Sequence, residues 1–142
     1  MDVPRITETL FMSYASAPDE AVFCVDKLLQ YMGQDEKALD TVVKIVRDGI
    51  GPGVEPLNLA GDAIRDNKFM EARRILHNLR GSIGNLGAKR FVAASLALEL
   101  ALQEGRIVEI PLLFTALEGE LKLVHDHAGA WLDQHAGRAA AR

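Results

Sequence analysis

The chain has 142 residues, 49% of them hydrophobic and 25% charged, which is enough for one core in one domain. A formal net charge of −4 gives it no electrostatic reason to seek nucleic acid or an anionic membrane, and its single cysteine, Cys24, excludes an internal disulfide and fits a reducing compartment. No apolar run approaches the roughly 18 residues of a bilayer span, and "MDVPRITETLF" lacks the basic leader and apolar core of a secretory signal, so the expectation is a cytoplasmic protein with no membrane insertion.

Taken in chain order, nearly everything reads as helix. Ile6, Leu10 and Tyr14 stand at helical spacing over residues 5–16, a weak amphipathic segment. "CVDKLLQYM" predicts a short helix around 24–32, stopped at Gly33. Asp35 can cap the next helix, which runs to about Asp48 with Leu39, Val42, Val43 and Val46 inward. "GIGPGVEP" then packs three glycines and two prolines into eight residues and forbids a continuous helix. Leu57, Ala60 and Ile64 mark a further helical piece.

The strongest pattern follows. Phe69, Ala72, Leu76, Leu79, Ile83 and Leu86 recur three and four apart, a coiled-coil-like seam that Gly87 ends. The seam resumes from Lys89 as Phe91, Ser95, Leu98 and Leu102, and stops at Gly105. The last long helix starts near Pro111, a good first-turn residue, with Leu113, Leu117, Leu121, Val124, Ala128 and Trp131 inward. "GRAAAR" closes the chain and is expected to fray. Short connections between seamed helices make antiparallel neighbours. The predicted fold is therefore all-α, an antiparallel up-and-down four-helix bundle over residues 21–134. Additional short N-terminal helices are expected, with an extension over 1–20 and a tail over 135–142.

One stretch, "HNLRGSIGNLG" from His77 to Gly87, breaks the economy of this pattern. A glycine inside a helix costs about 1 kcal/mol relative to alanine, yet Gly81 and Gly84 both fall within the seamed helix. Stepping 100° per residue puts His77 roughly 130° from the seam centre, so its imidazole should be exposed. Gly81 and Gly84 share that side, and Arg73 and Arg80 flank it. Either the glycines keep the imidazole accessible to another macromolecule, or they let helices approach closely. Glu99 is about eleven residues beyond the Gly87–Ala88 turn and His77 about ten before it, which sets both roughly 15 Å from the turn on adjacent helices. A carboxylate at that level can accept the imidazole Nδ1–H and leave Nε2 as an exposed nucleophile, or it can be a solvated surface charge.

Other chemistries are poorly served. His125 and His127 are two apart, about 200° around a helix, and the Glu-x-x-His pairs of di-iron bundles are missing, so no metal site is expected. His127, Trp131 and His135 share a face that reads as a solvated or half-buried edge. "GSIGNLGAK" fails the phosphate-loop pattern: five residues separate Gly81 from Gly87, and alanine precedes the lysine. Arg73, Arg74, Arg80, Lys89 and Arg90 form a basic cluster, but the net charge opposes nucleic-acid binding. Cys24 reads as a buried structural residue.

"HNLRGSIGNLGAKRF" resembles the signature of histidine-containing phosphotransfer (HPt) domains, His-x-Leu-Lys-Gly-Ser followed by a small-residue turn. "LALELALQEG" is similar to the Leu-Glu segment of that family's next helix, and "VDKLLQYMGQDEKALDTVVKIV" to its short helix and first bundle helix, so the resemblance spans about residues 22–132. It implies a bundle carrying a phosphoryl group on His77, with Nε2 the attachment atom and Arg80 standing where the family usually has lysine. It implies in-line transfer between His77 and receiver-domain aspartates of a hybrid sensor histidine kinase and a response regulator. The receiver would supply the Mg²⁺, and the chain would have no cofactor and no ATP chemistry of its own. Glu99 would orient the imidazole, and Arg80, with Arg73, would offset phosphoryl charge. Arg73, Gly81 and Gly84 would face the partner, joined by Leu28, Leu29 and Met32 of the short helix unless these belong to the core. The alternative is an HPt-like adaptor that binds a kinase or receiver without carrying phosphate.

Overall fold

A computed structural model describes residues 21–33 and 35–140, with side chains as far as His135. The helix expected over 5–16, with the rest of the 1–20 extension, lies outside the described residues.

Six helices form among the described residues: α1 (Asp26–Met32), α2 (Glu36–Ile50), α3 (Glu55–Arg65), α4 (Phe69–Gly84), α5 (Lys89–Glu104) and α6 (Ile110–Ala140). Local chemistry sets most boundaries. The Asp35 side chain accepts the Ala38 N–H at 2.8 Å and caps α2. Pro56 sits in the first turn of α3, where its missing N–H costs nothing. The chain leaves α5 through Gly105 at φ +66, a left-handed exit, and the Arg106 N–H then closes on the Ala101 carbonyl at 2.9 Å. α6 is helical to Ala140, within the stretch assigned to the tail, and residues 141–142 lie outside the described residues.

The core follows the predicted seams. Ala72, Leu76, Leu79, Ile83 and Leu86 are buried, as are Phe91, Ser95, Leu98 and Leu102 on α5 and Leu117, Leu121, Val124 and Ala128 on α6. Phe69, Leu113 and Trp131 are half-buried at the ends of those seams, and Leu39 and Ile64 at the ends of theirs. Helices α4, α5 and α6 pack as successive antiparallel neighbours. The fourth side is filled by two helices in series: α3 packs on α4, and α2 packs on α6. The "GIGPGVEP" break is what lets one wall divide in this way. At Gly61 of α3 an added Cβ would come within 3.0 Å of the Phe114 ring of α6, so the missing side chain makes room for that aromatic.

α4 stops at Gly84, and Gly87, expected to end it, lies in the turn that follows and has a duty there. Its φ is +72, and an added Cβ would stand 2.1 Å from the Cys24 carbonyl oxygen. The Cys24 N–H donates to the Leu86 carbonyl at 2.9 Å. The segment before α1 is thus stitched backbone-to-backbone onto the α4–α5 turn, where only glycine fits. Cys24 itself is half-buried rather than fully enclosed.

Candidate functional site

His77 lies in the middle of α4 and is exposed, on the side of the helix away from the buried Leu76 and Leu79. The seam dictates this: with Ala72, Leu76, Leu79 and Ile83 committed to the core, position 77 is turned outward. One turn on, Gly81 is exposed, and a Cβ built there meets nothing within 4 Å. The surface beside the imidazole is bare backbone. Gly84 behaves differently. It is half-buried, and an added Cβ would come within 3.2 Å of Val92 Cγ2 on α5. The close-packing alternative therefore holds at Gly84, and the open surface belongs to Gly81.

The expected hydrogen bond from the imidazole to Glu99 is not made. Arg80 stands between them. Its Nε–H donates to Glu99 Oε2 at 2.8 Å and its Nη2 to Glu99 Oε1 at 3.1 Å, a two-point bond across the α4–α5 interface. The same Nη2 lies 2.9 Å from His77 Nδ1. A guanidinium has five N–H donors and no acceptor, so Nδ1 must be the acceptor here. Sequence spacing placed His77 and Glu99 at one level, and both do reach the same guanidinium. It could not anticipate that an arginine's fork fills the gap. Ser95 Oγ donates to Glu99 Oε2 at 2.8 Å, completing a chain from Ser95 through Glu99 and Arg80 to His77. Ser95 was recognisable in one respect, as the only polar residue in the α5 seam; its partner four residues on was not identified.

Arg73, one turn before His77, leans toward the far end of α5. Its Nη2 donates to Gln103 Oε1 at 3.3 Å, and its Nε is buried without a partner. Leu28 and Leu29 are half-buried and pack against the core. Met32 is 36% exposed and Tyr31 beside it 91%, which leaves α1 with an uncovered edge.

Away from His77, Arg90 of α5 makes a two-point bond to Glu120 of α6, at 3.1 and 2.7 Å. Glu120 is buried, an acid that the helix pattern of α6 did not single out. His125 is half-buried with its Nε2 unpartnered, and burial lowers its pKa from the ordinary value, the nearby Asp126 charge opposing that shift. His135 stacks on Trp131 at 4.4 Å, and Phe23 meets the same indole edge-on at 6.2 Å. Among the described residues no three potential metal ligands converge, and no helix is long and apolar enough to cross a membrane.

Searches of curated proteins and of solved structures give no match. The family model for the Hpt domain matches residues 53–127, more than half of the chain, covering α3 to α5 and most of α6 with His77, Arg80, Ser95 and Glu99 all inside. With its all-helical bundle and that match, the chain belongs to the Hpt domain family, whose members pass phosphoryl groups through histidine in phosphorelays and interact there with receiver domains and kinases.

Proposed function

We propose that this protein carries a phosphoryl group on His77 and relays it between receiver-domain aspartates of a hybrid sensor histidine kinase and a response regulator. The observation that supports this best is the exposed imidazole at mid-helix, beside the bare backbone of Gly81, within the region matched to the Hpt family. An aspartyl phosphate held in a receiver's pocket has to approach in line with the imidazole, and a side chain at position 81 would stand in its way.

In the transfer, the Nε2 lone pair attacks phosphorus, the N–P bond forms, and the P–O bond to the aspartate breaks. The aspartate leaves as carboxylate. Attack through Nε2 requires the ring's proton to be on Nδ1 at that moment, and the ring becomes an imidazolium carrying the phosphoryl dianion. The reverse step hands the group to the next receiver. The Mg²⁺ that neutralises phosphoryl charge is the receiver's to supply, and no ATP is consumed by this chain. Arg80 is the positive charge nearest the imidazole and the best placed to bind phosphoryl oxygens. The receiver docks over His77 and Gly81, with Arg73 at the rim and the Leu28, Leu29 and Met32 edge of α1 adding apolar contact.

An adaptor that binds a receiver or kinase without carrying phosphate is the second reading. It draws on one observation: Arg80 already occupies Nδ1. Incubation of wild type and His77→Ala with a panel of phosphorylated receiver domains separates the two. Acid-labile, alkali-stable label on wild type alone is the expected result. Binding of both proteins with no label on either would make the chain an adaptor.

A further inference from the structure

The Ser95–Glu99–Arg80–His77 chain has a consequence for which ring nitrogen can react. Because Arg80 can only donate, His77 Nδ1 offers its lone pair to the guanidinium, and in a neutral ring the proton then sits on Nε2. A protonated Nε2 has no lone pair to attack phosphorus. A ring that attacks through Nε2 must carry its proton on Nδ1, where a donor such as Arg80 repels it and a carboxylate welcomes it. The carboxylate is already in place: Glu99 is held by Ser95 and by the same guanidinium that blocks the nitrogen.

We propose that Arg80 is a latch that keeps His77 in its unreactive tautomer until a phosphoryl group arrives, and that Ser95 and Glu99 are the positioning residues that set the latch. The proposal rests on the relay reading of His77. In the latched state Arg80 spans Glu99 and Nδ1. When an aspartyl phosphate is presented, its oxygens compete for the guanidinium, which swings from Nδ1 to the phosphoryl group. The ring then exchanges its Nε2 proton with solvent for one on Nδ1, and Glu99, kept in place by Ser95, accepts that Nδ1–H. Nε2 attacks, the N–P bond forms as the P–O bond to aspartate breaks, and the resulting imidazolium is held by Glu99 on one side while Arg80 binds the phosphoryl oxygens. Arginine rather than lysine matters here. Its planar fork binds both Glu99 oxygens and Nδ1 together, and a single ammonium holds that three-point geometry poorly.

The test is the tautomer of His77 in the full chain. Long-range ¹H–¹⁵N correlation of histidine-labelled protein, followed across a pH series to the neutral-ring signals, reads which nitrogen bears the proton. Wild type should show Nε2–H with Nδ1 unprotonated. Arg80→Ala should move the ratio toward Nδ1–H by about fivefold or more, since it removes a charge-assisted hydrogen bond and frees Glu99. Arg80→Lys should fall between the two. Ser95→Ala, which keeps the arginine and loosens Glu99, should shift the ratio less than Arg80→Ala. Predominant Nδ1–H in wild type overturns the latch, as does a ratio that Arg80→Ala leaves unchanged. Loss of the relay reading shows elsewhere, as no label passing from phosphorylated receivers to wild-type His77, so the two failures are distinguishable.

Discussion

Helix α5 is tied to each neighbour by an arginine–glutamate pair, and the two pairs differ in what else they touch. On the α6 side, Arg90 and Glu120 are 15% and 8% exposed and satisfy each other at two points. On the α4 side, Arg80 and Glu99 are 24% and 13% exposed and share their remaining capacity with His77 and Ser95. The same chemistry is a closed brace in one place and an addressable network in the other. A pair whose two members bond each other between two helices serves to hold those helices together. One whose arginine borders an exposed imidazole can be re-partnered by anything anionic that reaches that surface.

The largest effect should come from breaking the closed brace. Glu120→Ala strands the Arg90 guanidinium between α5 and α6 and should cost about 3–5 kcal/mol of folding stability, measured by urea denaturation. Glu99→Ala should cost less, about 1–3 kcal/mol, because Arg80 can turn to water and to His77. Equal losses in the two variants would erase the distinction between a brace and a network. Neither glutamate belongs to a predicted seam, so their different fates come from which arginine each meets, and that depends on helix rotation at the scale of a few ångströms.

Much of the fold was legible because helical periodicity reports burial directly. The α4 seam placed His77 outside, and the Gly87 turn set α4 and α5 antiparallel. The level shared by His77 and Glu99 followed from counting rise per residue. What counting could not supply was the occupant of the space between two side chains at one level. Arg80 lies one turn from His77 on the same helix and its fork reaches across to α5, a matter of side-chain direction and length. The Gly87 contact with Cys24 was equally hidden, because it joins segments far apart in sequence through backbone atoms. The division of one bundle wall between α2 and α3 had only the glycine–proline break as its sign.

The two glycines within α4 sharpen the comparison at a smaller scale. Gly81→Ala adds a methyl group to empty space in a helix and should stabilise the fold by up to about 1 kcal/mol in a thermal or urea melt. Gly84→Ala gains the same helix propensity but presses its Cβ to 3.2 Å from Val92 Cγ2, so its net gain should be smaller or reversed. Should both variants gain alike, Val92 yields freely and position 84 has no packing role. Under the relay reading, Gly81→Ala should also slow transfer from a phosphorylated receiver, while its melt improves. That pairing of higher stability with lower transfer is the behaviour of a surface kept bare for a partner.

The smallest effect concerns the acid side of the stability curve and lies on α6. His125 is half-buried, its Nε2 has no partner, and burial lowers its pKa from the ordinary 6.5 while Asp126 offsets part of the shift. The unfolded chain therefore binds this proton more readily than the folded one. Stability from this group is complete above about pH 6.5 and is lost as pH falls from there through the lowered folded value. His125→Gln, neutral at every pH, should flatten the decline in urea midpoint just below pH 6.5. If the midpoint falls as steeply in His125→Gln as in wild type, burial of His125 contributes nothing to the acid sensitivity and its imidazole is solvated in the folded chain.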